Sequence, residues 1–203
     1  MWWSRPRHSA ETLARLEAAF PRALAADVRS VARILPESPY SVEVSHDDFA
    51  TLIVCGETVR IPYRVYFPEP GVAATEKLTL RQRRILAALL MRSNDGYVRE
   101  RRLREIARSA DDWIVPFVVQ LLSEYVIEIA TVFDELGVPN QAAYVTFVGD
   151  NPEYWSRVRA RMISYWAYYY RRRFPSFTDY PFYCAAVAIG VWSGHTPRTR
   201  RRH

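Results

Sequence analysis

Lysine is almost missing from this 203-residue chain: Lys77 stands alone, and every other one of the 28 basic residues is arginine. Cysteine, glycine and histidine are also scarce, at two, seven and four residues. Each scarcity excludes something. Cys55 and Cys184 form no CxxC or metal-type spacing, so a disulfide scaffold is excluded and two free thiols in a reducing compartment are expected. The few glycines form neither GxGxxG nor GxxxxGK, which argues against phosphate-cradling loops. The scattered histidines supply no HExxH and no ligand set at helical spacing.

A long uninterrupted apolar run is missing too. The longest, residues 114–133, carries Gln120, Glu124 and Glu128, and central carboxylates argue against a membrane span. The start, Met1-Trp2-Trp3-Ser4-Arg5-Pro6-Arg7, lacks the apolar region of a signal peptide. A soluble cytoplasmic protein with no membrane association is the expectation.

What is present points to a folded chain. Hydrophobic residues make up 49% and aromatics 14%, enough for a sizeable core, and the length suits one domain. The net charge of +6 is largely a property of the end. Residues 198–203 hold Arg198, Arg200, Arg201 and Arg202; without them 24 basic residues face 22 acidic ones.

The hydrophobic period divides the chain. Ser9 is placed to cap a helix in which Leu13, Leu16, Phe20, Leu24, Val28, Val31 and Leu35 step by three and four, kinked or restarted at Pro21. Between Phe49 and Phe67 the period falls to two. Residues 49–54 and 59–67 read as a β-hairpin turning at Cys55-Gly56-Glu57, with Pro62 marking an edge and Val42 and Val44 available as a short third strand. Residues 68–75 read as a linker.

Thr79-Leu80-Arg81-Gln82 has the form of a capping box, followed by a helix broken at Asn94-Asp95-Gly96. An arginine-laden helix over about 97–108 comes next. A third, capped by Asp111 or Asp112, keeps its phase from Ile114 through Val132. Asn151-Pro152 starts a long helix running to about residue 173. Residues 174–194 show no assignable period.

The segment Asp95-Gly96-Tyr97-Val98-Arg99-Glu100-Arg101-Arg102-Leu103-Arg104-Glu105-Ile106 resembles the second helix of a HEAT-type repeat, and Trp113 to Leu122 resembles the first helix of a following one. The resemblance covers residues 78–133. It departs at Arg102, where the family places a small residue, and no second Val-Arg copy recurs at the period of about 40–47 residues. It implies a helical surface that binds another macromolecule, and carries no catalytic residues. A winged helix-turn-helix is the competing reading, with residues 125–129 and 143–147 as wing strands; the helical phase favours helix, and helix against strand stays open for 125–129 and 143–148. The helix that would enter the major groove has no Arg, Asn or Lys for base edges.

Gln120, Glu124 and Glu128 fall at i, i+4 and i+8. No histidine stands at helical spacing from either carboxylate, so structural ion pairs with Arg99 and Arg102 are expected rather than a metal or acid–base site. Ser45-His46-Asp47-Asp48 holds the residue types of a triad but contiguous residues cannot reach triad geometry. Cys55 has no local base beyond Glu57. Tyr165-Trp166-Ala167-Tyr168-Tyr169-Tyr170-Arg171-Arg172-Arg173 is the most unusual stretch. Trp166, Tyr169 and Tyr170 are expected on the core face, and the arginines suit a helix C-terminus. Aromatics beside arginine can also stack bases of a single strand.

These observations predict a mainly α fold: a HEAT-like helical bundle with a small β-hairpin. Its parts are a helical segment over 1–40, hairpin and linker over 41–75, a helical core over 76–175 and an aromatic segment with basic tail over 176–203, together one domain. The expected function is a non-enzymatic macromolecule-binding or scaffold protein with a protein partner. The alternatives are a nucleic-acid-associated protein using Arg104, Arg108, Arg171, Arg172, Arg173 and the tail arginines Arg198, Arg200, Arg201 and Arg202, and an enzyme whose site is not recognisable. No catalytic, cofactor or metal residue is assigned. Charge placement discriminates: arginines on a face free of carboxylates favour nucleic acid, and arginines neutralised by Glu100, Glu105, Glu124 and Glu128 count against it.

Overall fold

The computed structural model describes residues 8–45, 48–137 and 140–192. The chain is mainly helical with one small two-stranded antiparallel sheet. Helix α1 spans Ala10–Ala18, its start capped by Ser9, whose hydroxyl accepts from the Thr12 amide at 3.0 Å. His8 ties this end down. One ring nitrogen lies 2.7 Å from Glu43 and the other 3.1 Å from the Leu35 carbonyl oxygen, while Thr12 donates to the same carboxylate. At Pro21 the backbone is extended and the chain restarts as a short 3₁₀ turn and α2, Ala25–Ala32.

Strands β1, Phe49–Val54, and β2, Glu57–Pro62, pair with Val54 opposite Glu57. Cys55 and Gly56 both take positive φ, 51° and 77°, as a two-residue hairpin turn demands. The second strand is shorter than its alternation predicts. It ends at Pro62, where the missing amide stops the ladder, and Val65 survives only as isolated bridges to Val44 and Ser93. The hairpin is anchored by one side chain. Asn151 accepts from the Ile53 amide at 2.8 Å and donates to the carbonyls of Ile53 and Phe147, both at 2.9 Å, so its amide satisfies the exposed edge of β1 as a third strand would.

The expected linker contains one helical turn, α3, Val72–Thr75. The capping box then forms in full between Thr79 and Gln82 and starts α4, Leu80–Leu90. Every residue from Ile85 to Leu90 is buried, so the second half of α4 is covered on all sides while its first turn stays exposed; α2 and α5 are among its neighbours. Helix α5, Gly96–Ile106, is capped by Asp95. Its first residue packs closely: a Cβ on Gly96 would sit 3.0 Å from a Val126 methyl, which would have to give way.

Residues 114–133 do not form one helix. Helix α6, Val115–Leu121, ends in a tight turn, and α7, Glu128–Leu136, begins afresh. The amides of Leu122, Ser123 and Glu124 bond to carbonyls three residues back, and the Ser123 hydroxyl donates to the Gln120 carbonyl at 2.9 Å. The buried Glu124 carboxylate explains the break: it is held by arginines from outside this helix. The i, i+4, i+8 stripe therefore does not exist. Helix α8, Gln141–Asp150, replaces the second postulated wing strand, and residues 125–127 form turn rather than strand, leaving no wing.

Helix α9, Pro152–Tyr165, opens into a π-helical turn over Trp166–Tyr170 rather than continuing to residue 173. The Trp166 indole donates to the Phe174 carbonyl at 2.8 Å and the Tyr170 hydroxyl to the Tyr125 carbonyl, holding the wide turn from both ends. Trp166 and Tyr170 are half-buried, but Tyr169 points outward, because the wider turn rotates it off the core face. Residues 174–192 belong to the core: a 3₁₀ turn, then α10, Pro181–Ala188, bury Tyr180, Phe182 and Ala185 completely. A single buried apolar cluster runs from Leu16 to Val191. Among the described residues no helix is long and apolar enough to cross a membrane.

Candidate functional site

The end of β2 positions the first components. After Pro62 the chain turns out of the sheet and presents Tyr63 and Arg64 toward the break between α6 and α7. Arg64 donates through one nitrogen to both oxygens of Glu124, at 3.1 and 3.2 Å. Arg99, from α5, reaches the same carboxylate at 3.2 Å and also donates to the carbonyls of Ser93 and Asn94. Arg92, just past the end of α4, lies with its terminal nitrogen 3.9 Å from Glu124.

Three guanidinium groups thus share one carboxylate, and Arg92 and Arg99 are almost fully enclosed. Arg92 uses its Nε for the Met91 carbonyl, while its two terminal nitrogens make no hydrogen bond; nor does Nε of Arg99. Burial, and then the charge of Arg64, pull the pKa of Arg92 below the ordinary guanidinium value, with Glu124 opposing them. Arg99 is lowered chiefly by burial as well. A buried cationic excess of this kind is destabilising unless an anion faces it.

A cleft of about 300 Å³ opens beside this cluster, between β1, the Tyr63 segment, α6 and α9. Gln120, Ser123 and Tyr154 line it together with Tyr63, Arg157 and Arg161; Asp48 is the carboxylate among its lining residues, and Phe49, Ala50, Ile61 and Val158 supply apolar wall. The Tyr154 hydroxyl is buried and unpartnered. Desolvation raises its pKa to about 12, so the hydroxyl stays protonated and available as a donor. Arg161 donates to the Tyr63 hydroxyl at 2.7 Å, and the guanidiniums of Arg161 and Arg64 lie 4.9 and 4.4 Å from the centre of the Tyr63 ring.

From the cleft, the outer face of α9 continues as Arg157, Arg161 and Tyr165 at steps of four. It ends in a group of tyrosine rings: Tyr165 lies against Tyr125 and Tyr169, and Tyr168 against Tyr169 at 4.7 Å between centres. Tyr168 is 82% exposed and Tyr169 60%.

The arginines and carboxylates singled out from the sequence fall into separate groups. Arg99 and Glu124 meet in the buried cluster. Arg102 does not join them; it pairs with Glu69 and Glu105. Glu128 is exposed at the start of α7 and makes no ion pair among the described residues. Arg104 is held between Glu100 and Glu135, whereas Arg108 is exposed with no such pair among the described residues. Arg171, Arg172 and Arg173 are exposed past the π turn without a carboxylate partner among the described residues; Arg171 lies over Trp166 and Arg173 over Phe174. Arg198, Arg200, Arg201 and Arg202 lie outside the described residues, as do His46 and Asp47 of the triad-like string.

Sequence reasoning missed Tyr63, Arg64, Arg92, Tyr154, Arg157 and Arg161. One signal was available for Arg92, a cation directly behind the apolar run Ala87-Ala88-Leu89-Leu90-Met91, and another in the repeat of Arg157, Arg161 and Tyr165. Cys55 is exposed, and its thiol is pushed up by partial burial, then by Asp112 and Glu57, which disfavours a thiolate nucleophile. Among the described residues no three His, Cys, Asp or Glu side chains converge as metal ligands. Comparison with protein-family models, with curated proteins and with solved structures finds no match.

Proposed function

We propose that this is a non-enzymatic binding protein and that the outer face of α9, with the π turn after it, takes single-stranded nucleic acid. The observation that carries this reading is the contrast in charge pairing. Arg157, Arg161, Arg171, Arg172 and Arg173 make no ion pair among the described residues, and the exposed rings of Tyr168 and Tyr169 stand between them. Guanidiniums follow a phosphate backbone and rings accept any base face, so such a strip binds with little sequence preference. From Arg157 to Tyr169 the face is roughly 18 Å long at the rise of a helix.

The test is the anisotropy of a labelled oligothymidylate over a salt series. It compares the natural chain, a variant with Arg198, Arg200, Arg201 and Arg202 changed to alanine, and the double variant Tyr168→Ala/Tyr169→Ala. Binding that falls steeply with salt, survives the tail change and drops by roughly 5- to 100-fold in the tyrosine variant is expected. Binding lost with the tail arginines alone, or absent at low salt, removes the reading.

A protein-binding scaffold is the second reading. It is supported by the HEAT-type resemblance around Val98-Arg99 and by the close pairing of α4 with α5, whose outer surface carries mixed, mutually paired charges. A cytoplasmic location belongs to both readings and is supported by the two free cysteines.

A further inference from the structure

We propose that the cleft between the hairpin and α9 is a binding site for a phosphoryl group, presented by a small phosphorylated molecule or by the end of a nucleic-acid strand. The inference shares Arg157 and Arg161 with the nucleic-acid reading of the outer face but rests on the cleft behind them, so a failure of that reading leaves it standing.

Two observations carry it. The first is a set of donors with nothing to donate to. Tyr154 lines the cleft and its enclosed hydroxyl is unpartnered, Gln120 is 6% exposed with no hydrogen bond from its side-chain amide among the described residues, and Arg157 makes no ion pair among them. Arg161 adds nitrogens beyond the one spent on Tyr63. The second is the charge behind them. Arg64, Arg92 and Arg99 face the single carboxylate of Glu124, and Arg92, Arg161 and Arg157 all act electrostatically on the Tyr154 hydroxyl.

Chemistry selects the ligand. Four donor side chains from α6 and α9, two of them guanidiniums, suit the three terminal oxygens and higher charge of a phosphoryl group better than the two oxygens and single charge of a carboxylate. The Asp48 carboxylate in the lining opposes an anion on its side of the cleft, which leaves the Arg157 and Arg161 side for the phosphoryl group, and the wall of Phe49, Ile61 and Val158 suits an apolar or aromatic remainder. The cleft volume exceeds that of a bare phosphate ion, which leaves room for such a remainder.

Isothermal titration of the full chain with orthophosphate and with phenyl phosphate tests the site, using Tyr154→Phe and Arg157→Gln. Tyr154→Phe removes a hydroxyl that bonds to no protein group, and Arg157 is exposed and unpaired, so both variants are expected to fold. Phenyl phosphate binding that each variant weakens at least five-fold supports the proposal. A matched pair of oligothymidylates, one 5′-phosphorylated and one not, separates the sources. A preference for the phosphorylated strand, lost in Tyr154→Phe, assigns the site to a strand end; equal binding of the two strands beside tight phenyl phosphate binding assigns it to a small molecule. No heat with either phosphate compound, or affinities that both variants leave unchanged, overturns it.

Discussion

Helices α5 and α9 are both rich in arginine and both present it to solvent, yet the two surfaces are electrically opposite in kind. On α5, Arg101 and Arg102 meet Glu69, Arg102 also meets Glu105, and Arg104 meets Glu100 and Glu135. On α9, Arg161 lies over Tyr63 and Arg157 is exposed, and neither makes an ion pair among the described residues. The α5 face is neutral over short distances and carries no field for an anionic polymer. The α9 face keeps its charge and surrounds it with rings. Between them lies Glu124, which takes one arginine from α5 and leaves a cationic excess directed toward α9. A count of arginines in the sequence treats the two helices alike; only their carboxylate neighbours separate them.

The largest effect should come from removing that shared carboxylate. Glu124→Gln leaves three guanidiniums, two of them buried, with no counter-charge, and a cost of about 3–5 kcal/mol is expected, lowering the thermal midpoint by roughly 6–20 °C for a chain of this size. Glu69→Gln, which unmakes pairs on the α5 side, should cost under about 1 kcal/mol. Scanning calorimetry of the two variants decides the matter. Equal midpoints would erase the distinction between the buried cluster and the paired surface.

Alkaline pH acts next, through the buried tyrosines of α8, α9 and the start of α10. Burial raises the Tyr154 hydroxyl from its ordinary value of 10.0 to about 12, and desolvation likewise raises Tyr144 in α8 and Tyr180 before α10. A pKa raised on folding means that the stabilisation is complete below pH 10 and is lost as pH rises toward the folded value. The unfolded chain releases these protons first. Each ring should therefore remove about 1.4 kcal/mol of stability per pH unit between 10 and 12. Urea unfolding at pH 8 and pH 11 measures the total, and Tyr154→Phe should shrink the difference by about 1.4 kcal/mol. A difference that the variant leaves unchanged would mean that Tyr154 titrates as an exposed ring.

Much of the framework was legible in the sequence. The Ser9 cap, the capping box at Thr79, the Asp95 stop-and-start and the Asn151-Pro152 start are local chemistry, written in a few adjacent residues. The site was less legible because it is assembled across the chain. Arg64, Arg92, Arg99 and Glu124 come from four segments, and the event that joins them, the break at Ser123, runs against an unbroken helical period. Residues 122–127 show why periodicity misled. Leu121, Tyr125 and Ile129 keep helical phase, but a carboxylate with two strong external partners outweighs the one or two backbone hydrogen bonds that continuing the helix would add. The π turn was hidden for a similar reason, since the bonds that hold it run to Phe174 and Tyr125.

The smallest effect in stability gives the finest comparison in function. Arg104→Gln and Arg161→Gln each alter one exposed arginine, and both should leave the thermal midpoint unchanged within about 1–2 °C. Their effect on oligothymidylate binding should differ. Arg104 is already answered by Glu100 and Glu135, so a phosphate gains little by approaching it and the variant should bind as the natural chain does. Arg161 is bonded to a neutral phenol and stacked on its ring, so its charge is free to release a counterion when a phosphate arrives. Its loss should weaken binding several-fold at low salt and reduce the slope of log affinity against log salt by about 1. If instead Arg104→Gln lowers the slope and Arg161→Gln does not, the nucleic acid runs along α5, and the unpaired charge of α9 serves the cleft alone.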